Sequence, residues 1–393
     1  MFRTIKDYNF HNERVLLRCD FNVPIDNGEI LEDFKIQSAL FTIKHLKTLG
    51  AKIIILSHFG KPWECKDKKQ RQKKYTLKPV HKRLQELLRE DIFFIESAIG
   101  RTAERKVKKM KNGDIIMLEN LRLYKEEEEN NQLFAEKLAK LGDVYVGEHF
   151  SVCHRANSSI VALPKMMPHF AGQHFLKEIE MLSMIFNHPI RPLVAVIGGA
   201  KVQSKIKVGS NLLRSADYLL FGGKIANTIL TVQGISVGKP FPEEAVVQMA
   251  KRFDLTNPKI YLPVDVIASS DPEGKELTRE TAPGTVRKDE DIFDIGPETI
   301  YTFSEIIKTA GTIFWAGPLG LYQSKRFLAG TKEIAKAIAN SSAKLKIVGG
   351  GETVAAVRQL GIEEKFNFIS AGGGAMLAFL ARETMPGLEA LKS

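Results

Sequence analysis

The chain has 393 residues, a formal net charge of +11, 44% hydrophobic residues and 26% charged residues. This apolar content excludes a disordered chain, and the length exceeds what one compact core usually holds, so we expect two globular domains. No uncharged apolar run reaches about 18 residues and the N-terminus lacks an apolar signal core, which predicts a cytoplasmic protein without membrane spans. The positive charge favours anionic ligands without identifying them.

Apolar runs typical of strands alternate with stretches of helical periodicity. The predicted strands cover 14–19, 51–57, 114–118, 143–147, 193–197, 217–221, 259–264, 311–315, 345–348 and 366–370. The segment from Ile36 to Leu49 has one apolar helical face and stops at Gly50, as a crossover helix would. Continuous apolar strands that alternate with helices indicate parallel sheets covered on both faces. We therefore predict an α/β protein with two doubly wound, Rossmann-like parallel-sheet domains joined by a hinge helix between about Pro164 and Pro192.

Charged and cysteine-containing segments give weaker signals. Residues 66–74 and 101–111 are strongly basic, but neither interleaves aromatics as a single-strand binder would, so we interpret them as a solvated loop and a solvated helix face. The acidic run Glu126 to Glu129 is interpreted as the exposed start of a helix rather than a metal site. Cys19, Cys65 and Cys153 are far apart and lack metal-type spacing, which predicts reduced thiols without a role.

Glycine-rich turns mark the second half of the chain. Four predicted strands run into paired or tripled glycines and then a helix, in VAVIGGAKV (194–202), YLLFGGKIA (218–226), KIVGGGETV (346–354) and FISAGGGAM (368–376). Each turn alone could be structural, but together they favour phosphate binding, because glycine allows close backbone approach and a helix N-terminus offers free N–H groups. The P-loop and dinucleotide fingerprints are both absent.

The first half carries polar residues where predicted strands end. They occur in the segments DFN (20–22), SHFGKP (57–62), ENLR (119–122) and HR (154–155). Any one of these could cap a helix or form a salt bridge. Together they predict a basic pocket for a small polyanion, in which Asp20 and Asn22 hold hydroxyl groups and His58, Arg122 and Arg155 hold phosphate or carboxylate. An anion pocket on one domain and a nucleotide surface on the other indicate phosphoryl transfer.

At this point the chain resembles the phosphoglycerate kinase family from end to end. The resemblance is carried by RCDFNVP (18–24), SHFGKP (57–62), LENLR (118–122), HRANSS (154–159), GGAKVQSKI (198–206), LPVDV (262–266), DIGPET (294–299), WAGPLG (315–320), GGGET (349–353) and AGGGA (371–375). It implies an N-terminal 3-phosphoglycerate-binding domain at 1–170, a C-terminal nucleotide-binding domain at 171–370, and a segment 371–393 that packs back on the first domain. The implied reaction is reversible phosphoryl transfer between 1,3-bisphosphoglycerate and ADP in glycolysis and gluconeogenesis.

The resemblance also implies roles for individual residues. The implied substrate-binding residues are Asp20, Phe21, Asn22, Lys35, His58, Phe59, Gly60, Lys61, Arg122 and Arg155. The implied nucleotide-binding residues are Gly199, Ala200, Lys205, Gly222, Gly223, Gly296, Pro318, Gly320, Leu321, Gln323, Gly350, Gly351, Glu352 and Thr353. The implied catalytic residues are Lys35, Lys201, Lys205, Gly351 and Gly374. Mg²⁺ bound with ADP or ATP would be held by Glu352, and a monomer that binds neither membrane nor nucleic acid is expected.

Several positions depart from the family pattern. Lys35 and Lys61 stand where the family has arginine, and Glu352 stands where it has the aspartate that ligates the metal. In the adenosine pocket, Ala316 and Gln323 replace asparagine and glutamate. Lysine lacks the planar fork of arginine, so a reduced rate is expected. The alternative hypothesis is a non-catalytic paralogue that binds a nucleotide or anion for regulation.

Overall fold

The computed structural model describes residues 1–392, and the chain divides into two compact units. Unit 1 comprises Met1–Ile179 and the segment that begins at Thr384, and unit 2 comprises Glu180–Glu383. The predicted domain bounds and the ligands assigned to each domain stay predictions. Ser393, the last residue of the predicted C-terminal segment, lies outside the described residues.

Unit 1 is built on a six-stranded, all-parallel sheet. Its strands, together with a two-stranded antiparallel hairpin β2–β3, are β1 (Arg14–Cys19), β2 (Ile25–Asp26), β3 (Glu29–Ile30), β4 (Lys52–Leu56), β5 (Phe93–Ile95), β6 (Ile115–Leu118), β7 (Val144–Glu148) and β8 (His169–Ala171). The helices are α1 (Phe34–Thr48), α2 (Lys68–Lys74), α3 (Lys78–Leu88), α4 (Arg101–Val107), α5 (Lys125–Glu128), α6 (Gln132–Ala139) and α7 (Gln173–Asn187). The sheet order is β5-β6-β4-β1-β7-β8, and α7 contains the division between the units.

Unit 2 combines a second six-stranded parallel sheet with a small antiparallel one. Its strands are β9 (Leu193–Ile197), β10 (Tyr218–Phe221), β11 (Ile260–Tyr261), β12 (Val266–Ser269), β13 (Thr278–Thr281), β14 (Asp291–Ile295), β15 (Thr312–Ala316), β16 (Leu345–Gly349) and β17 (Phe368–Ser370). Its helices are α8 (Val202–Leu212), α9 (Gly223–Val232), α10 (Glu244–Ala250), α11 (Pro297–Lys308), α12 (Ala329–Asn340), α13 (Gly351–Gln359) and α14 (Gly374–Leu380), and α15 (Pro386–Ala390) follows in unit 1. The parallel sheet has the order β11-β10-β9-β15-β16-β17, and the antiparallel sheet has the order β13-β12-β14.

Burial explains why the apolar runs form the central strands. Five of the six residues of β1 and all five residues of β9 are buried, as expected for strands covered on both faces. In α1, the buried Ile36, Ile43 and Leu46 lie on one helical face and pack into the core of unit 1. Gly50 has a φ of +75°, which ends this helical segment. The predicted crossover helix is therefore confirmed.

The structure differs from the predicted pattern at the sheet edges. The strand predicted at 259–264 is only β11, Ile260–Tyr261, and the three-residue strands β5 and β8 were not predicted. The strands of the antiparallel sheet were also not predicted. Among them, β13 carries the polar sequence TRET, and most of its side chains are only partly buried. Among residues 1–392, no helix is long and apolar enough to cross a membrane.

Candidate functional site

The predicted anion-binding residues of unit 1 follow four neighbouring strands. In the sheet order, β6, β4, β1 and β7 lie side by side. Because the strands are parallel, the segments after their carboxyl ends meet at one edge, where ligands of open α/β sheets bind. These segments contain the predicted residues at 119–122, 57–61, 20–22 and 154–155.

Asp20, after β1, connects several of these segments. It is 5% exposed, and its Oδ2 accepts hydrogen bonds from Lys35 Nζ, at 2.6 Å, and from Ser151 Oγ. Its Oδ1 accepts a bond from the Asn22 N–H at 3.0 Å and lies 3.6 Å from His58 Nε2. Burial alone would raise the pKa of Asp20, but Lys35, His58 and Ser151 outweigh burial and hold this pKa below its ordinary value. Asp20 is therefore an ionised carboxylate in a cationic setting.

The loop after β4 is held by Asn120. The Asn120 side chain accepts a hydrogen bond from the Phe59 N–H at 2.9 Å and donates to the carbonyls of Phe59 and Tyr75, each at 2.8 Å. The Gly60 N–H donates to Asn22 Oδ1 at 2.9 Å. These bonds fix His58, Phe59 and Gly60 beside the segment that follows β1.

Two arginines supply positive charge at this edge. Arg122 is 4% exposed, and it donates to the Gly60 carbonyl at 2.8 Å and lies 3.4 Å from a carboxylate oxygen of Glu128. Burial, together with the positive charge of Arg155, lowers the pKa of Arg122 to about 10. Arg155 is exposed and donates through Nε to His154 Nε2 at 3.3 Å. The pair is suited to a ligand with more than one anionic group.

Two predicted substrate residues have other surroundings. The Phe21 side chain is fully buried in the core of unit 1, and its backbone N–H donates to Ser57 Oγ at 2.9 Å. Lys61 is 75% exposed and forms a 2.9 Å ion pair with Glu64. Phe21 therefore acts on the loop through its backbone, whereas the Lys61 ammonium group lies in solvent.

In unit 2, the glycine turns also meet at one edge. Strands β10, β9, β15, β16 and β17 are neighbours in the parallel sheet. The segments that follow their carboxyl ends are 222–223, 198–200, 317–321, 350–353 and 371–374. The turns contact each other, because the Gly223 N–H donates to the Leu319 carbonyl at 3.1 Å and the Gly198 N–H donates to the Ala316 carbonyl at 3.0 Å.

Lys205 lies in the middle of these turns. It is 6% exposed, and its Nζ donates to the Gly198 carbonyl. A Cβ added at Gly199 or at Gly317 would lie 2.4 Å from Lys205 Nζ, and both glycines have a positive φ. A side chain at Gly199 would displace the buried ammonium group, and one at Gly317 would also lie 2.1 Å from the Gly198 carbonyl oxygen.

The charges around Lys205 match a phosphate site. Burial lowers the pKa of Lys205 to about 8, Glu352 opposes this effect and Lys201 adds to it. Lys201 is exposed at the N-terminal end of α8. A buried and an exposed ammonium group are thus available to neighbouring phosphates, and negative charge nearby favours their protonated forms.

The N-terminus of α13 forms another part of this site. Gly350, with a φ of +92°, precedes the helix, and Gly351 and Glu352 are exposed in its first turn. Thr353 is buried, and its Oγ1 accepts a 2.6 Å bond from the Gly317 N–H. The first-turn N–H groups of an α-helix lack intrahelical acceptors and favour an anion.

The predicted adenosine-binding loop is anchored from behind. Thr331 Oγ1 accepts bonds from the N–H groups of Leu319, at 3.0 Å, and Gly320, at 3.3 Å. The Leu321 N–H donates to the Phe293 carbonyl at 2.7 Å. The position of this loop is therefore fixed without a ligand.

The remaining predicted residues of this loop lie at its ends. The Pro318 carbonyl lies close to Gly198, where an added Cβ would be 2.2 Å from its oxygen. Ala316 is 1% exposed, whereas Gln323 is exposed. A cavity of about 570 Å³ is lined by Ala200 and Lys201 and continues to Lys224. Its lining includes Ala200 but none of the predicted residues of the loop from Pro318 to Gln323.

Two predicted glycines lie in different settings. Gly374 is the exposed first residue of α14, after Gly373 with a φ of +50°. The Gly296 N–H donates to the Asp265 carbonyl at 2.9 Å, and an added Cβ would lie 2.3 Å from the Asp265 carboxylate. Packing on Asp265 is enough to explain the glycine at 296.

The described residues would suit a metal ion that is coordinated by nucleotide phosphates together with a protein carboxylate. No group of three His, Cys, Asp or Glu residues within 1–392 could hold a metal ion by itself. Glu352 is one exposed carboxylate close to Gly199 and Lys205. Mg²⁺ commonly takes one or two protein carboxylates together with substrate phosphates.

Two interpretations of charged segments need correction. Glu127, within the acidic run, is 1% exposed, and its carboxylate accepts bonds from the Ser159 N–H at 2.9 Å and from Ser159 Oγ at 2.5 Å. The acidic run is therefore not uniformly exposed. The buried Glu127 is paired with a buried arginine, since Arg18 NH2 lies 3.6 Å from a carboxylate oxygen of Glu127. The basic segment 66–74, predicted as a loop, contains the helix α2.

Sequence reasoning missed residues that support the predicted site. Ser151 binds Asp20 across 131 residues of sequence, and Arg18 contacts His58 across 40. Asn120 was quoted only as part of a motif, although it organises the loop after β4. No local pattern reveals these contacts, because each partner comes from a different strand.

Comparisons with known proteins cover the whole chain. The sequence model of a family described as "Phosphoglycerate kinase" matches residues 5–383. A phosphoglycerate kinase of Dictyoglomus turgidum is 41% identical over 401 residues, covering 99% of this chain and 98% of that protein. One of Borrelia turicatae is 39% identical over 394 residues, covering 99% of each.

Solved structures extend the similarity to three dimensions. The phosphoglycerate kinase of Coxiella burnetii has a TM-score of 0.85 and 36% identity, covering 100% of this chain and 99% of that chain. The enzyme of Pyrococcus horikoshii OT3 has a TM-score of 0.85 and 35% identity, with 100% and 98% covered. The predicted fold class, two doubly wound parallel sheets, is confirmed.

Proposed function

The chain belongs to the phosphoglycerate kinase family, and we propose that it transfers a phosphoryl group reversibly between 1,3-bisphosphoglycerate and ADP in glycolysis. The observation that carries the proposal is that each of the two parallel sheets has one edge with groups suited to a different kind of ligand. One sheet edge gathers guanidinium, ammonium and imidazole groups around Asp20, and the other gathers glycine turns and a helix N-terminus around Lys205. The first set suits a small polyanion, and the second suits nucleotide phosphates.

The chemistry requires few functional groups from the protein. In the forward direction, a β-phosphate oxygen of ADP attacks the acyl phosphate, the bond from phosphorus to the carboxyl oxygen breaks, and 3-phosphoglycerate leaves as a carboxylate. The attacking oxygen is already ionised and the leaving carboxylate needs no proton. A general base is therefore unnecessary, and catalysis depends on alignment and on stabilising the charge of the transferring group.

We assign the following roles on this basis. Arg122, Arg155 and His58 bind the glycerate phosphate, and Asp20 and Asn22 bind its hydroxyl group. Lys201 and Lys205 bind the nucleotide phosphates and the transferring phosphoryl group, with the amides of Gly351 and Gly374, and Lys35 takes the place of the family's catalytic arginine. Mg²⁺, when bound with the nucleotide, neutralises phosphate charge, and Glu352 is the carboxylate that would hold it.

The proposal also covers the localisation, the oligomeric state and the domain motion of the protein. We propose that the protein is a cytoplasmic monomer whose units close about the hinge helix during turnover. Closure is required by the chemistry, because a phosphoryl group transferred without hydrolysis must pass directly between the two ligands.

A coupled assay of ATP formation tests the proposal. The full chain, 1,3-bisphosphoglycerate and Mg-ADP should give turnover, whereas Arg122→Met and Lys201→Met should each reduce kcat/KM. Calorimetry with 3-phosphoglycerate and with ADP tests the non-catalytic alternative, which the comparisons do not favour. Binding of both ligands without turnover, or loss of one ligand, would refute the enzymatic proposal.

A further inference from the structure

Arg18, in β1, is a buried arginine beside the proposed glycerate site. It is 1% exposed, and its Nε donates to Ser159 Oγ at 2.7 Å. One terminal nitrogen, NH1, donates to the Cys19 carbonyl, and the other, NH2, lies 3.6 Å from a carboxylate oxygen of Glu127. The guanidinium group is therefore held at both ends and cannot turn freely.

The anchor of Arg18 is itself fully buried. Glu127 is 1% exposed, and Ser159 donates to both of its carboxylate oxygens. Ser159 is 0% exposed and links Glu127 to Arg18. A buried charge is tolerated when it is paired and hydrogen-bonded, as it is in this cluster.

The same guanidinium group contacts His58. Arg18 NH2 lies 3.2 Å from His58 Nδ1, and His58 is 1% exposed. Arginine has only donors and stays protonated, so His58 Nδ1 must be the acceptor. A proton on Nδ1 would place two donors opposite each other. The single ring proton of His58 therefore lies on Nε2.

The Nε2 side of His58 faces Asp20. The distance from His58 Nε2 to Asp20 Oδ1 is 3.6 Å, which is longer than a hydrogen bond. The charged groups that act on His58 are Asp20 and Arg18 at β1, Arg122 after β6 and Lys35 on α1. Burial lowers the pKa of His58 well below its ordinary value, Asp20 opposes this effect, and the three cations add to it.

We propose that Arg18 is a positioning residue that fixes His58 as the neutral tautomer protonated on Nε2. His58 then contributes a directed hydrogen-bond donor to the glycerate ligand, while the arginines and Lys35 supply the positive charge. Affinity for the ligand consequently does not depend on protonation of His58. The part of this inference that concerns the ligand rests on the proposed function, whereas the tautomer is a property of the chain alone.

Nitrogen NMR of the full chain with ¹⁵N-labelled histidine tests the tautomer directly. The His58→Gln variant identifies the His58 signals among the nine histidines. Between about pH 5.5 and about pH 8, we expect His58 to stay neutral, with Nε2 protonated and Nδ1 unprotonated. A doubly protonated ring near pH 6, or a proton on Nδ1, overturns the proposal. This measurement needs no ligand, so it remains decisive if the proposed function fails.

Variants at Arg18 test the link to binding. In Arg18→Met, Nδ1 loses its donor while burial still keeps the ring neutral, so a form protonated on Nδ1 should appear in the nitrogen spectrum and the KM for 3-phosphoglycerate should rise. A lysine side chain at this position can still donate to Nδ1, so Arg18→Lys should restore the wild-type His58 signals. A purely structural role predicts that Arg18→Met leaves the His58 nitrogen signals unchanged, and that result would overturn the proposal.

A second variant keeps the test valid if Arg18→Met does not fold. Removing Arg18 alone leaves Glu127 as a buried unpaired charge, which is strongly destabilising. Arg18→Met combined with Glu127→Gln removes both charges, and the glutamine side chain can still accept a bond from Ser159. The form protonated on Nδ1 should appear in this double variant also, and a His58 that stays wholly protonated on Nε2 would contradict the role of Arg18.

Discussion

Replacing Lys205 by methionine should increase the stability of unit 2 and abolish activity. Methionine keeps an unbranched apolar stem but removes an ammonium group that is 6% exposed. Because burial lowers the pKa of Lys205 to about 8, the folded state is penalised for keeping the group charged at neutral pH. The same charge is what we propose stabilises the transferring phosphoryl group.

The size of the expected stability gain follows from the pKa of Lys205. A change from 10.5 to about 8 corresponds to about 3 kcal/mol at neutral pH, at 1.36 kcal/mol per pH unit. The bond from Lys205 Nζ to the Gly198 carbonyl offsets about 1 kcal/mol, which leaves a gain of about 2 kcal/mol. Between about pH 8 and pH 10.5 the unfolded wild type binds more protons than the folded one, so wild-type stability rises through this interval and the advantage of methionine shrinks.

Unfolding of unit 2 can be followed through Trp315. The chain has two tryptophans, so a Trp63→Phe background leaves Trp315, buried in unit 2, as the fluorescent reporter. Denaturant titrations without nucleotide or metal should give Lys205→Met the higher midpoint at pH 7. Lys201→Met is the matched control, because Lys201 is exposed and its loss should change stability by less than about 0.5 kcal/mol. An unchanged or lower midpoint for Lys205→Met would refute the reasoning.

Three further substitutions test other parts of the site. Lys35→Arg should raise kcat in the coupled assay, because arginine can keep the contact with Asp20 and offer a second nitrogen. The increase should be less than the roughly 100-fold that deletion of such a donor costs. An unchanged kcat would argue against a role for Lys35 in the transition state. Glu352→Asp should lower the Mg²⁺ concentration for half-maximal rate if the shorter carboxylate suits an octahedral ion better, and an unchanged Mg²⁺ dependence would exclude Glu352 as a ligand. Gly317→Ala should destabilise unit 2 by roughly 3 kcal/mol or more in the Trp315 titration, because the φ of Gly317 is +104° and the new Cβ would lie 2.1 Å from the Gly198 carbonyl oxygen. Gly351→Ala is the control, and it should retain wild-type stability because the space around its Cβ is open.

The central strands were predictable because burial on both faces leaves a continuous apolar run. Strand β1 was predicted with its observed bounds, and so was β9. Peripheral strands were harder, because β5 and β8 have only three residues each, too few to show a periodic pattern. The strand predicted at 259–264 ends at Tyr261, two residues before a proline, which cannot donate to the ladder.

The candidate site was predictable in its residue types but not in its contacts. The polar segments after β1, β4, β6 and β7 could be placed together because parallel strands share one edge. The pairing of Lys35 with Asp20, and of Ser151 with the same carboxylate, depends on how helix α1 and the segment after β7 pack around that edge. Sequence distance hides such contacts, as it hides the buried cluster of Arg18, Glu127 and Ser159.

Phosphorus NMR of the full chain with 1,3-bisphosphoglycerate and Mg-ADP tests the central claim most directly. The account predicts that the acyl-phosphate signal disappears while the γ-phosphate signal of ATP appears in equal amount, because the group passes directly between the ligands. Loss of the acyl phosphate as inorganic phosphate would show hydrolysis. Unchanged spectra, or release of inorganic phosphate in place of ATP, would contradict phosphoryl transfer by this protein.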